Sequence, residues 1–118
     1  MKNKVLLIGV GVETASEVLS NAGYDIITAQ HIYSAMSLAL KAKNSILAVC
    51  ARKSELKCRM GYEHTWVRIF REMIPGVKVL IVVDLDDNQN PNEWSADAVV
   101  TSGEPQEILK ALLLLFSI

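Results

Sequence analysis

A chain of 118 residues has the size of one domain, expected here over 1–118, and its 51% hydrophobic content can bury a core without disulfides or structural metal. Twelve basic against 13 acidic residues give a net charge of −1, which provides no global attraction to nucleic acid or to an anionic membrane. No apolar run, Ala111–Phe116 included, is long enough to span a bilayer, the first four residues show no signal-peptide pattern, and Cys50 and Cys58 form no disulfide or metal framework, so a reducing cytoplasm is expected.

Val5–Ile8 is an apolar run dense enough for a strand buried on both faces. Ala15, Val18, Leu19 and Ala22 then fall at helical spacing, with Thr14 and Glu17 placed as a capping box and Gly23 as a stop. Ile26–Ala29 reads as a second strand, and Ala35, Leu38, Ala39 and Ala42 as one face of a second helix. Ile46–Cys50 is strand-like, Trp66, Ile69, Phe70 and Met73 mark a third helix, and Pro75-Gly76 ends it. Val79–Val83 is the most apolar strand and is expected at the centre, Ala98–Thr101 is the fifth, and Pro105 suits the first turn of a helix through Phe116. Strand and helix alternate about five times, which predicts a parallel sheet covered by helices on both faces. In such sheets functional groups gather at the carboxyl ends of the strands: here Gly9–Val12, Cys50–Arg59, Val83–Asp87 and Ser102–Glu104.

Asn21-Ala22-Gly23-Tyr24-Asp25-Ile26, Gly61-Tyr62-Glu63, Ala96-Asp97-Ala98-Val99-Val100-Thr101 and Pro105 follow one another in an order and spacing that resembles the receiver domain of two-component response regulators. The resemblance covers nearly all of residues 4–116 and implies a three-layer α/β/α sandwich with a five-stranded parallel sheet in the order 2-1-3-4-5. It also implies a site at which two acids after the first strand and a phosphorylated aspartate hold magnesium. Gly9 and Val10 stand at the acidic pair, Cys50 at the phosphoacceptor, Val83 at the hydroxyl residue, Ser102 at the lysine and Val99 at the switch aromatic. Magnesium requires oxygen ligands, which these side chains do not supply, and a thiol forms no acyl phosphate. The expectation is a phosphorylation-independent receiver, a pseudo-receiver: a protein-interaction module of bacterial signalling with no catalytic residue, no metal and no cofactor. The segment between Val83 and Ser102, with its Asp-Asn-Pro composition, is poor helix material, so the helix expected there is short or irregular.

Other constellations admit other chemistry. Gly9-Val10-Gly11 follows a strand and opens a helix, as a dinucleotide-binding turn does, but Thr14 replaces the third glycine and Glu13 faces the pyrophosphate position. Cys50 and Cys58 admit a thiol redox sensor, set against the ordinary behaviour of a buried cysteine as a small hydrophobe. Arg52, Lys53, Lys57 and Arg59 face an acidic loop of Asp84, Asp86, Asp87 and Glu93, so loop-to-loop ion pairs are expected to stand in for the missing metal and phosphate. The last helix carries more apolar residues than one stripe needs. Leu109, Leu113 and Phe116 are the candidates for a protein partner or a second copy, docked through this helix and the fifth strand.

Overall fold

The computed structural model of the chain describes residues 3–9, 15–53, 63–83, 96–101 and 105–116, with 63–65 and 101 described by backbone alone. Its elements are β1 (Lys4–Ile8), α1 (Ser16–Asn21), β2 (Asp25–Ala29), α2 (Ile32–Ala42), β3 (Ile46–Arg52), α3 (Glu63–Met73), β4 (Lys78–Val83), β5 (Ala98–Thr101) and α4 (Pro105–Phe116). All five strands pair in parallel in the order β2-β1-β3-β4-β5. The expected α/β/α sandwich and strand order are therefore observed. Two details differ. β3 occupies the middle of the sheet, with β4 beside it, because continuous apolar character is required of every interior strand and does not rank them. β3 also runs two residues past Cys50. Its last residue, Arg52, has a polar head that the sequence pattern assigns to a loop, yet its backbone still pairs with Val82.

Side chains alternate between the two faces along each strand. Leu6, Ile8, Val49, Ala51, Val79, Ile81 and Val83 join Ile32, Ala35 and Ala39 of α2 and Val67 and Phe70 of α3. Val5, Leu7, Ala48, Cys50, Leu80, Val82 and Val100 join Ala15 at the start of α1, Leu19 of α1, and Ile108 and Leu112 of α4. A register shift between Lys4 and Val5 passes over Leu47, so Ile46 lies on the same face as Val49 despite the odd spacing of three residues between them. The edge strand β2 is less apolar and exposes Asp25 and Thr28.

The helix ends follow local chemistry. After α1, Gly23 adopts φ +101°, its N–H donates to Ser20 O at 3.1 Å, and the Tyr24 N–H donates to Leu19 O at 3.2 Å. This pairing is a Schellman stop, and it needs the left-handed conformation that glycine supplies without strain. At the other end Ala15 holds the N-cap position with no side-chain cap, and Thr14 of the expected capping box lies outside the described residues. Pro105 is the first residue of α4, where its missing N–H has no intrahelical partner to lose. The segment expected to hold a short helix between β4 and β5 also lies outside the described residues.

One long-range polar tie fixes the β4–β5 side. The Asp97 carboxylate accepts from the Val79 N–H at 2.7 Å and from Arg71 at 3.1 Å, while the Asp97 N–H donates to Val79 O at 2.8 Å. One side chain thus joins the entry to β5, the start of β4 and the last turn of α3. Asp97→Ala strands the Val79 amide in a half-buried setting, and a loss of about 1–3 kcal/mol is expected in urea denaturation. Asp97→Asn keeps an acceptor oxygen and removes only a partly exposed ion pair, so its loss is expected to stay within about 0–1 kcal/mol.

Candidate functional site

The carboxyl ends of β1, β3, β4 and β5 meet at one edge of the sheet, where Gly9, Arg52, Val83 and Thr101 stand at or just past the strand ends. Gly9 is buried and has φ +109°, and its N–H donates to Ala29 O at 2.9 Å, so the turn after β1 is tied to the end of β2. An L side chain is disfavoured at that φ, which makes the small residue a backbone requirement here. Val10, the second expected position of the acidic pair, lies outside the described residues, as does Ser102.

Cys50 lies below this edge. It pairs with Leu7 of β1 and Leu80 of β4, and the next layer toward the edge is Ile8, Ala51 and Ile81. The extension of β3 to Arg52 is what lowers it: a strand ending at Cys50 puts the thiol at the rim, whereas the observed strand puts Arg52 there. Cys50 is 0% exposed and sits in the cluster shared with α1 and α4. Burial pushes its thiol pKa up to about 12, since the thiolate is cut off from solvent there. A thiol held neutral in this way is a poor nucleophile and a poor metal ligand.

Val83 and Val99 lie on the other face, with α2 and α3. Val83 is 2% exposed, and Val99, paired with Ile81, is half-buried. Neither can donate or accept through its side chain. Among the described residues no group of three His, Cys, Asp or Glu side chains is placed to hold a metal ion. Arg52 and Lys53 are half-buried and engaged in polar or electrostatic contacts. The loops proposed to pair across the edge, with Lys57, Arg59, Asp84, Asp86, Asp87 and Glu93, lie outside the described residues, as does Cys58.

The surface of α4 is the second candidate region. Ile108 and Leu112 are fully buried, and Leu109 and Phe116 are half-buried against the same cluster, so both are largely committed to the sheet. Leu113 is 53% exposed and Leu114 is 66% exposed. A shallow hollow of about 380 Å³ is lined by Gln106, Leu109, Lys110, Leu113 and Leu114. The outward apolar residues are thus Leu113 and Leu114, with Leu109 at their border. Leu114 escapes a count of apolar residues, but a helical projection centred on Ile108 and Leu112 places it outward.

No family model matches the chain, and no curated protein sequence is similar to it. Solved structures are. A response regulator receiver domain protein from Clostridium thermocellum superposes with TM-score 0.77 at 18% identity, covering 95% of this chain and 92% of that one. A chemotaxis response regulator of Vibrio cholerae gives TM-score 0.76 at 18% identity over 98% of this chain and 100% of its own. A response regulator from Thermotoga maritima gives 0.73 at 16% identity over 100% of both. At these identities the likeness establishes the fold: the chain has the architecture of a response-regulator receiver domain. No described helix is long and apolar enough to cross a membrane.

Burial of Cys50 has two measurable consequences. In a Cys58→Ser background the folded chain is expected to leave Cys50 unlabelled by a thiol reagent at pH 8 and to release it on denaturation. The fold also holds the neutral thiol, so the stability linked to it is complete below the ordinary value of 9.0 and is lost as pH rises from there toward about 12. The native chain is expected to lose stability over that window more steeply than Cys50→Ala, by up to about 1.4 kcal/mol per pH unit in denaturant titrations.

Proposed function

We propose that this chain is a receiver-fold signalling module that works by docking proteins and does not accept a phosphoryl group. The observation that carries the reading is the carboxyl edge itself: Arg52, and not a carboxylate, stands at the end of β3 next to the Gly9 turn, and Cys50 is sealed two residues below it between Leu7 and Leu80 at full burial. Three features support it. Gly9 occupies the acidic-pair position in a backbone conformation that disfavours an acid. Val83 at the hydroxyl position has no group to hold a phosphoryl oxygen. Val99 at the switch-aromatic position lacks the ring whose reorientation relays activation. On this reading Val10 and Ser102, by residue type, supply neither the second acid nor the lysine, and the chain is a binding module and not an enzyme.

Docking is assigned to α4 and β5. Leu113 and Leu114 expose apolar area that a lone helix on a sheet does not need, and the hollow beside them mixes apolar anchors with Gln106 and Lys110 at its rim, the composition of a protein interface. Leu109 and Phe116 support this surface from beneath. The partner is a protein of a two-component-type pathway in the cytoplasm, or a second copy of the chain. Signal passes by a shift in the populations that the partner selects.

Beryllofluoride with magnesium mimics the phosphorylated aspartate and provides the test. Amide spectra of the isotope-labelled chain are expected to stay unchanged around Gly9, Cys50 and Val83 through saturating beryllofluoride. Saturable shifts there overturn the inert site. For the surface, Leu113→Glu is expected to keep the native melting temperature within a few degrees while abolishing self-association or partner capture. Retention of both by that variant removes α4 from the account.

A further inference from the structure

The sheet face opposite α1 and α4 carries an apolar surface that the reading above does not use. At the start of α2, Tyr33 meets Trp66 of α3 edge to face, with ring centroids 6.0 Å apart and planes at 87°. Tyr33, Met36 and Leu40 form one stripe along α2, at the three- and four-residue spacing of a helix flank, and the Tyr33–Trp66 contact turns that flank toward α3. On α3, Trp66, Ile69 and Met73 form the matching stripe. α1 and α4 pack closely against each other across their face, whereas α2 and α3 approach each other less. The two stripes therefore border a cleft that is closed by the aromatic pair at one end. At the other end lies a hollow of about 450 Å³ lined by Lys43, Asn44, Glu72, Met73 and Pro75. Tyr33 is 74% exposed and Leu40 is 59% exposed.

We propose that this cleft is a docking groove for an acidic amphipathic helix of a protein partner, separate from the α4 surface and on the opposite side of the sheet. Apolar stripes on two helices accept a third through anchors spaced three and four residues apart, and methionines let such a groove adapt to the anchor shape. Charge selects the occupant. Among the described side chains nearest the groove, on α2, the turn after it and the end of α3, those exposed and charged are Lys41 and Lys43 against Glu72, so the rim favours acids. Trp66 points the same way. Its Nε1 is buried and finds no acceptor among the described residues, which is costly for a donor. A partner oxygen seated beside the Tyr33 ring supplies the missing acceptor.

The test is a display selection of helix-forming peptides against the full native chain, with affinities then measured by the fluorescence of Trp66 in a Trp94→Phe background. Enriched peptides are expected to be amphipathic and net acidic. They are expected to bind Leu40→Glu at least about tenfold more weakly, which is about 1.4 kcal/mol, and Leu113→Glu unchanged. Leu40 is exposed, so the variant is expected to melt as the native chain does, and Tyr33→Ala serves as a second groove variant. Failure to enrich any peptide, enrichment of basic peptides, or binding that survives both groove substitutions overturns the proposal. Self-association of the native chain that Leu40→Glu removes also overturns it, by assigning the groove to a second copy.

Discussion

The structure depends on apolar layers that cross its three interior strands. Leu7, Cys50 and Leu80 form one, and Ile8, Ala51 and Ile81 form the next toward the carboxyl edge. Each member is fully buried, with one layer facing α1 and α4 and the other facing α2 and α3. A parallel sheet covered on both faces demands this composition along its interior. Here the demand extends nearly to the rim, where a receiver holds its charged groups. A carboxylate in place of Cys50 loses its hydration with no cation among its described neighbours, a cost of several kcal/mol. The layer that stabilises the fold thus also keeps a charged group out of that position.

The same layers place both candidate interaction surfaces. Because the core is shared between the two faces, α4 needs only Ile108 and Leu112 fully buried, and Leu113 and Leu114 are left outward. On the other side α2 is anchored on the sheet by Ile32, Ala35 and Ala39, which leaves Tyr33 and Leu40 on the flank toward α3. The two surfaces lie across the sheet from one another. The two candidate surfaces therefore do not overlap.

Much of the fold is legible in the chain because its signals are local. Val5–Ile8, Ile26–Ala29 and Ala98–Thr101 are short apolar runs bounded by turn residues, and the strands match them to within a residue. Gly23 reads as a helix stop, and the left-handed φ there is the physical reason. What is less legible depends on distant partners. Arg52 belongs to β3 only because Val82 is beside it. Asp97 looks like one more turn acid until Val79 and Arg71 are brought to it from 18 and 26 residues away. For the site, residue types alone show that Gly9, Cys50 and Val83 carry no carboxylate or hydroxyl. The depth of Cys50 requires the strand register, and the outward direction of Leu114 requires knowing which arc of α4 meets the sheet.

The central claim is that no metal-binding, phosphoryl-accepting pocket remains at the carboxyl edge of the sheet. Crystals grown in manganese, a divalent ion with oxygen-ligand preferences like those of magnesium, test it most directly. Anomalous difference maps are expected to show no peak between Gly9 and the end of β3. A manganese ion coordinated there contradicts the account.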